Sequence, residues 1–110
     1  MKAKIFYQNF FLNSKHLSNS EPITVDLKEA AEVAELEFDV DSKEDFCDKA
    51  FCEMNIGETV LNPSFQIKIA AFPFEGKHTS MSVGDFVKFE DGEIMVCAAM
   101  GWRTIPAGTL

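Results

Sequence analysis

The chain has 110 residues, of which 46% are hydrophobic and 25% charged, and a formal net charge of −8. That length is one domain's worth, so residues 1–110 are expected to form a single domain. The composition is globular rather than disordered, and eleven Phe supply a bulky core without disulfides. So acidic a chain is not expected to bind nucleic acid directly, because phosphate contacts need Lys and Arg. No apolar run approaches the ~18 residues of a membrane span, and Met1–Tyr7 lacks a long apolar stretch, so neither an anchor nor a signal peptide is expected.

In chain order, residues 3–10 read as a strand, aromatic-rich and alternating. Residues 13–22 are polar and read as a loop. Asp26 with Glu29 three residues later is a helix-start signature, and Leu27, Ala30, Ala31, Ala34 and Phe38 recur at helical spacing. Ser42, with Asp45 three residues on, caps a second helix whose apolar side is Phe46, Cys47, Ala50, Phe51 and Met54. Gly57 is its stop. Asn62-Pro63 reads as a turn, and Phe65, Ile67, Ile69 and Ala71 alternate as a strand that Pro73 ends. Residues 75–78 are a loop. Phe86–Phe89 and Ile94–Ala98 flank Asp91-Gly92, a two-residue type I′ turn. Trp102 ends the last strand, and Pro106, Gly108 and Thr109 are a tail. The order β-α-α-β-β-β predicts an α+β fold, a mostly antiparallel sheet of about four strands with two helices on one face. A half-open barrel of the last three strands under a helical lid is the alternative.

Three cysteines, an odd number, point to reduced thiols in a cytoplasm. Cys47 and Cys52 are five apart, about 140° around a helix, which suits neither a disulfide nor zinc. Asp39-Val40-Asp41 opens like a calcium loop but has no Gly at its sixth position, and Ala50 stands where the twelfth needs an acid. His16 and His78 read as solvated and turn residues. No nucleophile signature or carboxylate pair in an apolar pocket stands out, so no enzyme, catalytic residue, metal or cofactor is expected.

The charge is segregated. From Glu21 to Glu58 there are 13 acids against three lysines. Glu29, Glu32, Glu35, Glu37, Asp39, Asp41, Glu44, Asp45 and Asp48 lie close together, with only Lys43 among them. Such a row, with nearly no pairing lysines at i+4, accepts repulsion. It reads as a surface that imitates nucleic acid and occupies a basic cleft on a partner protein, or else as a solvated helical face. Trp102, beside Arg103, has the residue type of an interface anchor or of a seal over the sheet edge.

The segment His78-Thr79-Ser80-Met81-Ser82-Val83-Gly84-Asp85-Phe86-Val87, followed by Gly92 and the pair Gly101-Trp102, is similar to the YodL-like family of small proteins of plasmids, phages and other mobile elements. The resemblance implies a mobile-element context and no established activity. Two functions follow as expectations. One is an inhibitor of a host defence protein, of anti-CRISPR or anti-restriction type. The other is a scaffold module of replication or transfer machinery, docking through the C-terminal hairpin and Trp102.

Overall fold

Strict alternation of burial makes the first strand. In the computed structural model, which describes residues 1–8, 25–72 and 79–108, β1 (Lys2–Tyr7) buries Ala3, Ile5 and Tyr7 and exposes Lys2 and Lys4. It pairs with β2 (Ala31–Glu37) on one side and β3 (Phe86–Phe89) on the other. Next to β3 come β4 (Ile94–Cys97) and β5 (Trp102–Ile105), giving the order β2-β1-β3-β4-β5 with every pairing antiparallel. Between β2 and β3 lie α1 (Lys43–Ile56), the single-turn α2 (Glu58–Leu61) and α3 (Pro63–Ala70). The fold is α+β as expected, with five strands rather than four and the order β-β-α-α-α-β-β-β among the described residues. Among the described residues β2 and β5 stand at opposite edges, and the sheet is open rather than a half-barrel. No described helix is long and apolar enough to cross a membrane. The expected loops at 13–22 and 75–78, the strand end at Phe10, Pro73, His16, His78 and Thr109 lie outside the described residues.

The three described helices pack on one face of the sheet. Ile5, Tyr7, Val87 and Met95 meet Phe46, Ala50 and Met54 of α1, Val60 of α2, and Phe65 and Ile69 of α3. The other face holds a smaller cluster of Phe86, Ile94, Val96 and Ile105, against which Phe6, Val25 and Ala30 pack. Phe6 and Phe86 stack there with centroids 5.0 Å apart.

Two elements change type. The expected helix over 26–38 is a single turn followed by β2. Asp26 Oδ1 does accept the Lys28 and Glu29 amides at 3.0 and 3.3 Å, but the backbone is extended from Ala31. The register shifts opposite Ile5/Phe6, leaving Val33 as an extra residue on β2. That bulge interrupts the period of two, so Glu32, Glu35 and Glu37 share a sheet face at a spacing that mimics a helix. Lys68 of α3 reaches the Val33 carbonyl at 3.4 Å. The expected strand over 65–71 is instead α3. Asn62 caps it, its Oδ1 accepting the Ser64 amide at 2.9 Å, and Pro63 stands in the first turn. Phe65 and Ile69, four apart, are buried, whereas Ile67 is 71% exposed.

The C-terminal turns also differ from expectation. The Gly92 amide bonds Phe89 O at 3.0 Å and the Phe89 amide bonds Glu93 O at 2.9 Å. The loop is therefore three residues, Glu90-Asp91-Gly92, with the left-handed conformation confined to Gly92 (φ +93°). Trp102 starts a fifth strand rather than ending the fourth. α1 is as expected, with Ser42 Oγ accepting the Asp45 amide at 3.1 Å. Gly57 ends it at an ordinary φ of −81°, and glycine is needed for space, since a Cβ there would stand 2.7 Å from the Glu53 carbonyl oxygen. Gly92→Val should lower stability by about 1–2 kcal/mol, the cost of forcing a β-branched residue into this conformation. A Cβ at Gly92 has room, 3.5 Å from Ala107 Cβ, so Gly92→Asn should recover much of the loss in a thermal melt. Equal melts for Gly92→Val and the parent would refute the assignment.

A buried polar cluster joins the end of β1 to the turn before β3. Asp85, fully buried, accepts the Gln8 amide through Oδ1 at 2.8 Å and the Ser82 amide through Oδ2 at 2.9 Å. The Gln8 side chain donates to Gly84 O at 2.7 Å and accepts the Asp26 amide at 2.9 Å. Gly84 turns the chain at φ +95°, and Met81 enters the core. Ser82, Gly84 and Asp85 of this turn thus spend polar groups on bonds within the fold. The Tyr7 hydroxyl donates to Thr79 O at 3.0 Å, and burial raises its pKa.

All three cysteines are free thiols, with Cys47 and Cys97 buried and Cys52 exposed. Burial pushes the Cys47 and Cys97 thiols up to about 12. At about pH 8 a thiol reagent should therefore label Cys52 alone in the native protein, and all three after denaturation. Fast native labelling of a second thiol would contradict the packing of α1 on β4.

Candidate protein-docking site

The nine expected acids are all exposed, but the structure sorts them into two groups. Glu32, Glu35 and Glu37 lie on β2, beside the lysines of β1. Glu32 pairs with Lys4 at 3.4 Å and Glu35 with Lys2 at 3.3 Å. The hydrogen bond and charge of Glu35 raise the Lys2 pKa. For Glu32 and Glu35 the repulsion inferred from missing i+4 lysines is therefore relieved across the sheet, by partners 28 and 33 positions earlier in the chain. Glu32 and Glu35 line a groove of about 490 Å³ with Lys2, Lys4, Phe6 and Lys88, where both signs of charge mix. Glu29 sits apart in the turn that follows Asp26.

The second group is on and before α1. Asp39 and Asp41 lie in the link from β2, Glu44 and Asp45 in the first helical turn, and Asp48 one turn on. Acids there are favourable to the helix dipole. Among the described residues none of these five has a Lys or Arg within ion-pair distance. Lys43, the one cation among them in sequence, is turned toward the β3–β4 hairpin. It bonds Asp91, lies 3.4 Å from Glu93, and rests 5.2 Å from the centroid of the Phe89 ring. The Asp91 hydrogen bond raises the Lys43 pKa, and Lys43 in turn lowers that of Asp91.

The fold also brings Trp102 to this acidic row. Its indole Nε1–H donates to Asp48 Oδ1 at 2.9 Å. Phe51 meets the indole edge-on, with centroids 6.5 Å apart at 83°. Phe51, expected on the apolar side of α1, is 38% exposed, because it stands well around the helix from Phe46 and Ala50. A shallow depression of about 550 Å³ continues along α1, lined by Phe38, Asp48, Lys49, Cys52, Glu53, Ile56 and Gly57. Ile56 is 76% exposed. Phe51 and Ile56 were not among the sequence candidates. The signal available was a position on the helix wheel away from the centre of the core stripe.

Chemically, this surface offers unneutralised carboxylates beside an oriented aromatic pair and exposed aliphatic area. That combination suits binding a cationic, partly apolar surface. Among the described residues, no three His, Cys, Asp or Glu side chains come together as metal ligands. Comparisons with known protein families, with curated proteins and with solved structures find no match for the chain.

Proposed function

We propose that this chain is a non-enzymatic interaction protein that docks, through the outer face of α1 and Trp102, on a basic surface of a partner protein. The observation that carries the reading is the row Asp39, Asp41, Glu44, Asp45 and Asp48, unneutralised among the described residues and joined to Trp102 by the Asp48 hydrogen bond. The partner proposed is a host defence protein whose basic cleft binds nucleic acid, with the cytoplasm as the place of action. The mobile-element context rests on the resemblance of the C-terminal segment. The scaffold reading, docking through the hairpin and Trp102, uses part of the same surface and differs in not needing the acids.

Capture from host lysate tests the two. If the acids carry binding, capture should weaken steeply with salt, because exposed charges are screened beyond about 10 Å at 0.1 M ionic strength. Nucleic acid should compete for the partner, and the protein alone should not retain DNA or RNA. Joint Asp39→Lys, Asp41→Lys and Glu44→Lys should reduce capture at least about tenfold, the equivalent of about 1.4 kcal/mol. Glu32→Gln with Glu35→Gln, which unpairs Lys4 and Lys2, should leave capture intact. Full capture by a folded triple variant would overturn the acidic reading. If Trp102→Phe alone then lost capture, the scaffold reading would take its place.

A further inference from the structure

We infer that the Asp48–Trp102 pair is a reading site for an arginine side chain on the partner's surface. This rests on the reading above that α1 docks on a basic partner, and it specifies which cation the site prefers. The indole N–H is committed to Asp48 Oδ1 at 2.9 Å, which fixes the ring relative to the carboxylate. Among the described residues, the second Asp48 oxygen has no partner. Trp102 is half-buried and packs against the core. Phe51 lies beside it with the ring planes nearly perpendicular. Glu44, one turn before Asp48 on the same helix stripe, adds to the local negative potential.

Charge complementarity selects a cation, and the ring selects among cations. A guanidinium is planar, so it can stack on an indole while its N–H groups bond an adjacent carboxylate. An ammonium is a compact, strongly hydrated point charge that gains less from the same pair. The neighbouring acids disfavour a nucleobase, which would bring phosphate with it. The indole–carboxylate bond thus pre-organises a flat wall and a charged acceptor side by side.

Trp102 is the only tryptophan, so its fluorescence reports on this site alone. The probes are a short arginine-rich peptide and its lysine twin, equal in length and charge. Titration calorimetry measures total binding, and Trp102 emission measures occupancy of the ring. The arginine peptide should change the emission saturably and bind about threefold more tightly than the lysine twin, the increment of an exposed cation–π contact. Asp48→Asn retains an acceptor for the indole and removes the charge. It should weaken the arginine peptide about fivefold with an unchanged melt. Trp102→Phe should abolish the preference and leave salt-sensitive binding of both peptides. Equal affinities for the two peptides, or binding with silent Trp102 emission, would overturn the arginine assignment and leave the acidic docking surface standing. Absence of binding by either peptide would overturn both.

Discussion

Phe46→Ala should destabilise the protein by about 4 kcal/mol, within the range for deleting a fully buried phenylalanine. Phe46 is at 0% exposure on α1. Its ring meets Phe38 at 5.0 Å and Phe89 at 5.5 Å, both in tilted or edge geometry. It therefore ties the β2–α1 link to the helix and the helix to the sheet, and neither neighbour can collapse into the vacated space without leaving its own contacts. For a domain of this size the melting temperature should fall by about 20 °C, and the urea midpoint should drop with an unchanged slope. Phe51→Ala, on the same helix but partly in solvent, should cost under about 1.5 kcal/mol. A loss below about 2 kcal/mol for Phe46→Ala would mean that α1 is not held as described.

Asp85→Ala should cost about 3 kcal/mol. The effect arises less from the bonds lost than from the donors left behind: the Gln8 and Ser82 amides, at 2.8 and 2.9 Å from the carboxylate, would face a methyl group. A buried unsatisfied donor costs about 1–3 kcal/mol. Asp85→Asn should recover under half, since its NH₂ must face one of the same N–H donors. Hydrogen exchange at the Gln8 amide should quicken in both variants, because that bond joins residues 77 positions apart and closes the end of β1 onto the turn before β3. Unchanged exchange at Gln8 would show that the carboxylate does not anchor β1.

What the chain settled locally was its composition class and those elements that carry their own boundary signals. α1 was legible because Ser42 caps it, Phe46, Ala50 and Met54 recur at its period, and Gly57 closes it. β1, β3 and β4 were legible from alternation or a short apolar run bounded by a turn. The α+β class followed from these. Tertiary structure decided the rest. A bulge at Val33 turned a strand's alternation into a helix-like spacing, and the lysines that make its glutamates tolerable sit on β1, far off in sequence. Phe65, Ile67 and Ile69 have strand-forming side chains, yet the Asn62 cap and Pro63 start a helix whose i, i+4 pair meets the core. In the candidate site, residue types and charge were visible in the chain, but their neutralisation was not. Pairing depends on which strand lies beside which, and that register separated Glu32 and Glu35 from the acids of α1. The β4–β5 pairing and the packing of α1 on the sheet carried Trp102 to Asp48, 54 positions away, an adjacency that no local pattern encodes.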